Sequence, residues 1–300
     1  MTKAFRGSLS IPRRKSLGNK RLVGLIGRPV KHSVSPDIHN AAFDHLGLDY
    51  LYVAFEVKED ALGPAVKGLR ALGAVGFNVT IPYKQAVVKF LDRLVDDAEV
   101  IKAVNTVVIE KDRMVGYNTD VLGVMKALLP YKDVLNGCNA LILGTGGGAS
   151  AAALALARLG CGCITFVGRV RSKARRLANF FRRRLNVSTN GLGLSASNLS
   201  DVAKTCNVIV NATPVGMWPN DGRSLLRKEQ IRSGSVVMDM VYNPPETLLL
   251  KEARLAGASC VSGLEMLVFQ AAESFRLWTS LDPPIEVMKA AALEAVGRFA

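Results

Sequence analysis

The stretch Asn139-Ala140-Leu141-Ile142-Leu143-Gly144-Thr145-Gly146-Gly147-Gly148-Ala149-Ser150, followed by an alanine-rich run to Leu159, decides the fold. A short apolar run, a glycine turn and a set of strong helix formers come in the order strand, loop, helix. Gly144 permits the tight turn, Gly146 lets the backbone approach a pyrophosphate, and Ala149 keeps the third position small where helix and strand pack. With Gly147 and Gly148 they lead into a helix start, whose free amides and positive dipole end suit phosphate. Gly144, Gly146, Gly147, Gly148 and Ala149 are therefore candidate cofactor-binding residues.

The type of dinucleotide is read one strand further on. An acid after that strand accepts bonds from the ribose hydroxyls of NAD, whereas cations suit the extra phosphate of NADP. Here the strand at 163–167 runs into Gly168-Arg169-Val170-Arg171-Ser172-Lys173, with no acid. A charge-assisted bond contributes about 1.5–3 kcal/mol. Two of them, from Arg169 and either Lys173 or Arg171, favour NADP by roughly two to four powers of ten. Arg182, Arg183 and Arg184 lie too far along the following helix to share that phosphate and read as solvated.

Outward from this unit, apolar runs alternate with helical patterns, which argues for α/β layers on mainly parallel sheets. Strands are expected from 140 and at 164–167, 208–211, 236–240 and 259–261, and earlier at 22–27, 50–57 and 76–81. Helices are expected near Pro36, with Ser35 as its cap, near Glu59, and at 264–279 and 285–299. Residues 106–110 and 114–117 read as a hairpin around Lys111-Asp112-Arg113. The expected fold class is α/β with two domains: an α/β substrate domain and a Rossmann-type doubly wound parallel sheet for the dinucleotide, with a cleft between them. The partition is a basic extension at 1–20, a substrate and catalytic domain at 21–122, the dinucleotide domain at 123–262, and C-terminal helices at 263–300 that return to the catalytic domain.

Composition narrows the function classes. At 300 residues, with 49% hydrophobic and 21% charged side chains, the chain has enough apolar surface for a core without disulfide or metal staples. No apolar run approaches the ~20 residues of a membrane-spanning helix. The five cysteines are scattered and only three histidines are present, so no metal site is expected and a reducing, cytoplasmic setting is the default. His32, His39 and His45 read as structural, and Cys161-Gly162-Cys163 as core at a turn. The net charge of +14 is confined to two acid-free segments, one ending at Arg21 and one from Arg169 to Arg184. That confinement, with 6% aromatic residues, argues against nucleic acid as a partner. The first segment is compatible with a transit peptide to a plastid or with a simple basic extension.

Polar clusters in the front half are costly if buried without purpose. Ser33 and Ser35 flank a strand-to-helix junction. In Asn78-Val79-Thr80-Ile81-Pro82-Tyr83-Lys84, Asn78 and Thr80 share one strand face and Lys84 lies just past the strand end. Asn105, and Asn118-Thr119-Asp120, supply amides and a carboxylate beside the hairpin. On the last long helix, Gln270 sits at the edge of an apolar stripe.

Together these segments resemble the shikimate dehydrogenase family from about Arg21 onward. The matching motifs are the Ser-x-Ser at 33–35, NVTIPYK at 78–84, AVNT at 103–106, NTD at 118–120, GTGGGA at 144–149, NATPVGM at 211–217, DMVYNP at 239–244 and GLEMLVFQA at 263–271. The resemblance implies reversible, NADPH-dependent reduction of 3-dehydroshikimate to shikimate in aromatic amino-acid biosynthesis. It implies a catalytic pair at Lys84 and Asp120, and substrate contacts from Ser33, Ser35, Thr80, Asn105, Tyr242 and Gln270. It further implies cofactor contacts from the glycine loop, Arg169, Lys173, Thr213, Met240 and Gly263. Chemistry agrees, because a hydride leaves a secondary alcohol only as the hydroxyl proton leaves too, and an ammonium also stabilises the alkoxide of the reverse step. Burial and a neighbouring carboxylate act on a lysine's proton affinity in opposite directions, and the balance is open at the level of sequence.

Three departures from the family pattern stand out. The adenine-side Asn-Arg-Thr-x-x-Arg is replaced by Gly168 to Lys173, Val241 stands where an aromatic is common, and Glu265 where a small residue is frequent. Alternatives are a quinate/shikimate dehydrogenase of dual specificity and a non-catalytic NADP-binding regulatory protein. A homodimer is one option for the oligomeric state.

Overall fold

The computed structural model describes residues 20–298. All but one residue of the basic extension expected at 1–20 lie outside them, as does Phe299 at the expected end of the last helix. Among the described residues there are two six-stranded sheets, one in each half of the chain.

The rear sheet is built from β7 (Asn139–Leu143), β8 (Cys163–Gly168), β9 (Ser188–Gly193), β10 (Val208–Asn211), β11 (Val236–Asp239) and β12 (Ser259–Ser262). Their order is β12-β11-β10-β7-β8-β9, and every neighbouring pair is parallel. This is the doubly wound order, with its reversal between β7 and β10, so a crevice opens beyond the carboxyl ends of those two strands. Helices α6 (Gly147–Arg158), α7 (Arg171–Arg182), α8 (Ala196–Thr205) and α9 (Leu248–Leu255) make the crossovers. The alanines of α6 have a simple cause: the helix is buried from Ala149 to Leu156, with no face left for water. Strand β9 was not expected from sequence. It is an edge strand whose residues, Ser-Thr-Asn-Gly-Leu-Gly, contain no apolar run. Gly191 lets it lie against α7, since a Cβ there would stand 2.5 Å from the Ala174 carbonyl.

The front sheet is mixed but mainly parallel, three of its five neighbouring pairs being parallel, and it contains the expected hairpin. Its strands are β1 (Arg21–Gly27), β2 (Tyr50–Glu56), β3 (Gly76–Val79), β4 (Arg93–Leu94), β5 (Thr106–Glu110) and β6 (Arg113–Tyr117), in the order β2-β1-β3-β5-β6-β4. β1 is parallel to β2 and β3, and β5 is antiparallel to both β3 and β6. The hairpin turn is two residues, Lys111 and Asp112, both at positive φ, a twist that matches the flanking strands. Arg113, expected in the turn, already belongs to β6.

Helices α1 (Ser35–His45) and α2 (Leu62–Ala71) cover the front sheet, with the short α3 (Asp97–Ile101) at its end. α4 (Asp120–Leu128) and the short α5 (Lys132–Leu135) lead to the rear sheet, and α10 (Gly263–Thr279) and α11 (Ile285–Gly297) return to the front. Phe275 and Trp278 of α10 are buried in the same apolar cluster as Phe43 of α1 and Met288 of α11. α4 and α10 cross at Gly123, where a Cβ would stand 2.8 Å from the Met266 carbonyl. α4 also shares an apolar cluster with α6, so one core runs across the joint between the halves. An ion pair between Arg158 of α6 and Asp97 of α3 spans the same joint. None of the helices is long and apolar enough to cross a membrane.

His39 is wholly buried, stacked on Tyr52 at 4.5 Å and near Trp278 at 5.2 Å. Burial lowers its pKa from 6.5 to about 3, so the fold holds it neutral. A depressed histidine contributes stability above the unfolded value that is lost as pH falls through the window between the two. At about 1.4 kcal/mol per pH unit, the loss between pH 6.5 and 3 is on the order of 4 kcal/mol. We expect His39→Phe to keep the stacking and remove this component, so that urea unfolding at pH 7 and pH 4 shows a smaller acid loss for the variant; equal losses would contradict it.

Candidate functional site

The crevice between the halves is lined by strand ends and helix starts. Lys84 lies in the segment after β3, which its neighbours hold: the Tyr83 hydroxyl donates to the Val57 carbonyl at 2.7 Å, and the Val104 amide donates to the Lys84 carbonyl at 2.7 Å. Asp120 opens α4, where the helix dipole favours an anion. Lys84 Nζ donates to Asp120 Oδ2 at 2.6 Å, with side-chain exposures of 18% and 5%. Asp120 Oδ1 accepts from Asn105 Nδ2 at 2.9 Å. Asn105 is itself fixed, its Oδ1 accepting from the Thr119 amide at 2.7 Å and from Thr106 Oγ1 at 3.0 Å. Gln270, expected at the edge of a stripe, is buried, and its Oε1 accepts from Asn105 Nδ2 at 3.2 Å.

Behind this group lies a buried polar network of which the sequence reading missed two members, Tyr52 and Ser274. The Tyr52 hydroxyl donates to Asn78 Oδ1 at 2.7 Å, and Asn78 Nδ2 donates to the Asn105 carbonyl at 2.9 Å and to Ser274 Oγ at 3.2 Å. Ser274 Oγ also meets Thr106 Oγ1 at 2.8 Å and Thr119 Oγ1 at 3.1 Å. One signal was available for Ser274: it lies one helical turn from Gln270. Asn78 faces this network, and β3 ends at Val79, so Thr80 lies just past the strand, its amide still bonded to the Ile26 carbonyl of β1 at 2.9 Å. The Thr80 methyl fills the space above Gly27, 2.2 Å from where a Cβ would stand.

A second cluster faces the same crevice. Ser33 Oγ donates to Ser35 Oγ at 3.2 Å and accepts from the Ser35 amide at 3.3 Å. Ser35 is thus the first residue of α1, not its cap; Val34 holds the cap position without a side-chain bond. The Ser35 side chain lies beside Tyr52, and Ser33 beside Tyr242, which reaches over from the rear half. Burial raises the pKa of both tyrosines, so both phenols stay protonated and able to donate. His32 meets Trp218 edge to face at 4.7 Å, a second contact across the crevice.

The glycine loop forms the rear wall. Gly144 has φ +122°, and a Cβ there would stand 2.9 Å from the Ala212 carbonyl and 3.4 Å from the Thr213 methyl. A Cβ on Gly148 would stand 3.2 Å from the Met240 methyl, and one on Gly147 3.1 Å from Cβ of Lys84. Above Gly146 there is open space, and Ala149 is fully buried under the turn. These observations fit a dinucleotide: a small-residue cradle at the switch point, with the first turn of α6 behind it. Arg169 and Lys173 are exposed at the end of β8 and the start of α7, beside the loop, where Gly168 abuts Thr145. Arg182 is not simply solvated, since it donates to the Thr189 carbonyl of β9. Val241 is buried, and Glu265 is exposed in the first turn of α10.

Below Thr213 and Met240 lies a further group. Asp239, fully buried, accepts from Thr247 Oγ1 at 2.6 Å, Asn211 Nδ2 at 2.9 Å and the Val241 amide at 3.0 Å. Asn211 Oδ1 in turn accepts from Thr213 Oγ1 at 2.7 Å. Gly263 starts α10 directly on this segment, a Cβ there falling 2.7 Å from the Asp239 carbonyl.

Comparison with known proteins agrees with this geometry. Residues 25–107 match the family description "Shikimate dehydrogenase substrate binding domain", and residues 263–293 match "Shikimate 5'-dehydrogenase C-terminal domain". A shikimate dehydrogenase (NADP(+)) of Methanopyrus kandleri is 46% identical over 91% of this chain and 95% of its own. A crystal structure of a shikimate dehydrogenase in complex with NADP+ superposes with a TM-score of 0.84 at 41% identity, covering 94% of this chain and 96% of that one. A quinate dehydrogenase of Corynebacterium glutamicum in complex with NAD gives 0.83 at 31% identity, covering 92% and 99%.

Burial, only partly offset by its three hydrogen bonds, raises the Asp239 pKa from 3.8 to about 6. A raised carboxyl contributes stability that is fully present below the unfolded value and lost as pH rises through the folded one. We expect Asp239→Asn to remove that slope. Relative to the variant, the native protein should lose about 2–3 kcal/mol between pH 4 and 7 in urea unfolding; parallel curves would show that Asp239 is already ionised in the fold at pH 4.

Proposed function

The chain belongs to the shikimate dehydrogenase family, and we propose on that basis that it catalyses the reversible, NADPH-dependent reduction of 3-dehydroshikimate to shikimate. The protein is an NADP-dependent oxidoreductase of aromatic amino-acid biosynthesis. The observation that carries the assignment to residues is the 2.6 Å contact between Lys84 and Asp120 beside the glycine loop. Its partition is a catalytic domain at 21–122, a dinucleotide domain at 123–262, and C-terminal helices at 263–300 returning to the former.

When bound, the nicotinamide supplies or accepts the hydride. Gly144, Gly146, Gly147, Gly148 and Ala149 would cradle the pyrophosphate of the dinucleotide, with Thr213, Met240 and Gly263 on its nicotinamide side and Arg169 and Lys173 on the side of the 2′-phosphate. Lys84 moves the proton at the reacting substrate oxygen: its ammonium donates to the forming alkoxide and, in the other direction, the amine accepts the hydroxyl proton. Asp120 holds the lysine in place and accepts from a neighbouring substrate hydroxyl. Asn105 and Gln270 contact the remaining ring hydroxyls, fixed by the network through Ser274 and Asn78. Ser33, Ser35 and Tyr242 present hydroxyl donors to the substrate carboxylate, and Thr80 closes that side. Packing of α4 against α6 and α10 keeps the two walls in register.

A cytoplasmic location, a homodimer and the absence of nucleic-acid binding belong to the same reading. The first rests on the free cysteines and the last on a net positive charge confined to α7, its flanks and the N-terminal extension.

Initial rates with shikimate and with quinate, each against NADP and NAD, test the assignment. The expected result is turnover of shikimate with NADP and little of the other combinations; comparable rates with quinate would establish the dual enzyme. Lys84→Ala is expected to lower kcat about 10³-fold with a small change in KM, and near-native turnover would remove the lysine from the mechanism. Arg169→Ala should raise KM for NADPH roughly 10- to 100-fold while leaving that for NADH nearly unchanged. Equal effects on both would dismiss the phosphate contact.

A further inference from the structure

Four of the five cysteines gather at the end of the rear sheet opposite the glycine loop. Cys138 and Cys161 each precede a strand, β7 and β8, that are parallel neighbours in which Asn139 stands beside Cys163. The Cys138 carbonyl accepts from the amides of Gly162 and Cys163 at 3.0 and 3.1 Å, which fixes the two chain segments against each other. Their sulfur atoms are 3.2 Å apart, closer than two thiols in ordinary contact, across a separation of 23 residues. Both are buried, yet only beneath a thin cover: Asn136, Gly137, Gly160 and Gly162 around them are exposed. Cys163 is half-buried, and Cys206 is buried and close enough to feel both Cys161 and Cys163. Among the described residues no three His, Cys, Asp or Glu side chains are arranged to hold a metal ion, so the cluster is one of thiols.

We propose that Cys138 and Cys161 are a site of oxidative modification, closing to an intramolecular disulfide when the protein meets a peroxide. In the first step one thiolate attacks a peroxide oxygen, the O–O bond breaks, and a sulfenic acid and one water form. In the second, the partner sulfur attacks the sulfenic sulfur and expels the second water. Two thiols are oxidised, one peroxide is reduced, and the atoms balance as one disulfide and two waters. The Cys138 thiol donates to Cys161 Sγ, and the Cys161 thiol is directed at the Cys138 and Cys163 carbonyls at 3.2 and 3.3 Å. Whichever sulfur meets the peroxide first, the other stands within reach to resolve the sulfenic acid. Burial pushes Cys206 up to about 12, which disfavours it as a competitor.

The product joins the starts of β7 and β8 and closes a loop that contains the glycine turn and α6. Cross-links of that span stabilise chiefly by restricting the unfolded chain. The reaction does not involve Lys84 or the crevice, so its outcome is independent of the functional assignment.

The test is treatment of the native protein with hydrogen peroxide, alkylation of remaining thiols, and peptide mapping without reductant. The expected result is a Cys138–Cys161 linked peptide, lighter by two hydrogen atoms and released by dithiothreitol, with a Tm higher by roughly 5–10 °C. Cys163→Ser and Cys206→Ser should form the same link. Cys138→Ser should not, leaving Cys161 reduced or over-oxidised. A link to Cys206 or Cys163 instead, or sulfinic acid at Cys163 with the pair still alkylatable, would overturn the proposal. So would a link that appears only in unfolded protein. Mapping of the native chain decides the matter even where a serine variant does not fold.

Discussion

An ammonium and a carboxylate 2.6 Å apart and largely withdrawn from water dictate much of what surrounds them. Removing both charges from water costs several kcal/mol per ion unless the remaining lone pairs and protons are also satisfied. The fold meets that demand on the aspartate side, where Asn105 holds the second carboxylate oxygen and is itself bonded by Thr106 and Thr119. Each of these groups is buried in turn, so the requirement passes to Ser274, Asn78 and Tyr52 until it reaches Ser35 and the other end of the crevice. The polar network is thus the consequence of one pair. It rigidifies the crevice floor, because in a low-dielectric interior a half-satisfied network is worse than none.

The opposite wall is held by absence of side chains. Backbone segments approach more closely than any Cβ allows at Gly144, Gly123 and Gly263, which set the turn of the loop, the crossing of α4 with α10, and the seat of α10 on β11. A Cβ at Gly147 would stand 3.1 Å from Lys84, so the dinucleotide loop and the lysine are built against each other across the joint. The two halves also share one apolar core and the Arg158–Asp97 pair. Hydride and proton transfer require donors fixed to within fractions of an ångström. A joint packed in this way supplies such precision more readily than a pair of lobes connected only by linkers.

Legibility in the sequence followed burial pattern. Strands such as β10 and β11 are buried on both faces and read as continuous apolar runs, and the doubly wound half was apparent from them and from the glycine turn. β9 and β4 escaped because they are sheet edges, one polar and glycine-rich, the other two residues long. The direction of β3 relative to β5 escaped as well, since an alternating or continuous apolar run says nothing of its partner's sense. Ser35 was assigned to capping by a local rule that the chain satisfies differently: Ser33 takes the amide, and the Ser35 hydroxyl is left to face Tyr52. Ser274 and Tyr52 carried no local mark, for a serine in a helix and a tyrosine in a strand are common where nothing depends on them.

The sequence by itself determined the strand and helix series apart from the edge strands β4 and β9, the glycine turn, the absence of an acid after β8, and the set of residue types able to move a proton. These are properties of consecutive residues, set by backbone preference, periodicity and side-chain chemistry. Only the tertiary structure decided which polar groups meet. Lys84 and Asp120 lie 36 positions apart, and Asn105 and Gln270 lie 165 apart. Whether a buried polar group is an expense or part of a site depends on what stands within about 3 Å of it, and that is fixed by the crossing of α4 with α10 and by sheet order, not by any neighbour along the chain.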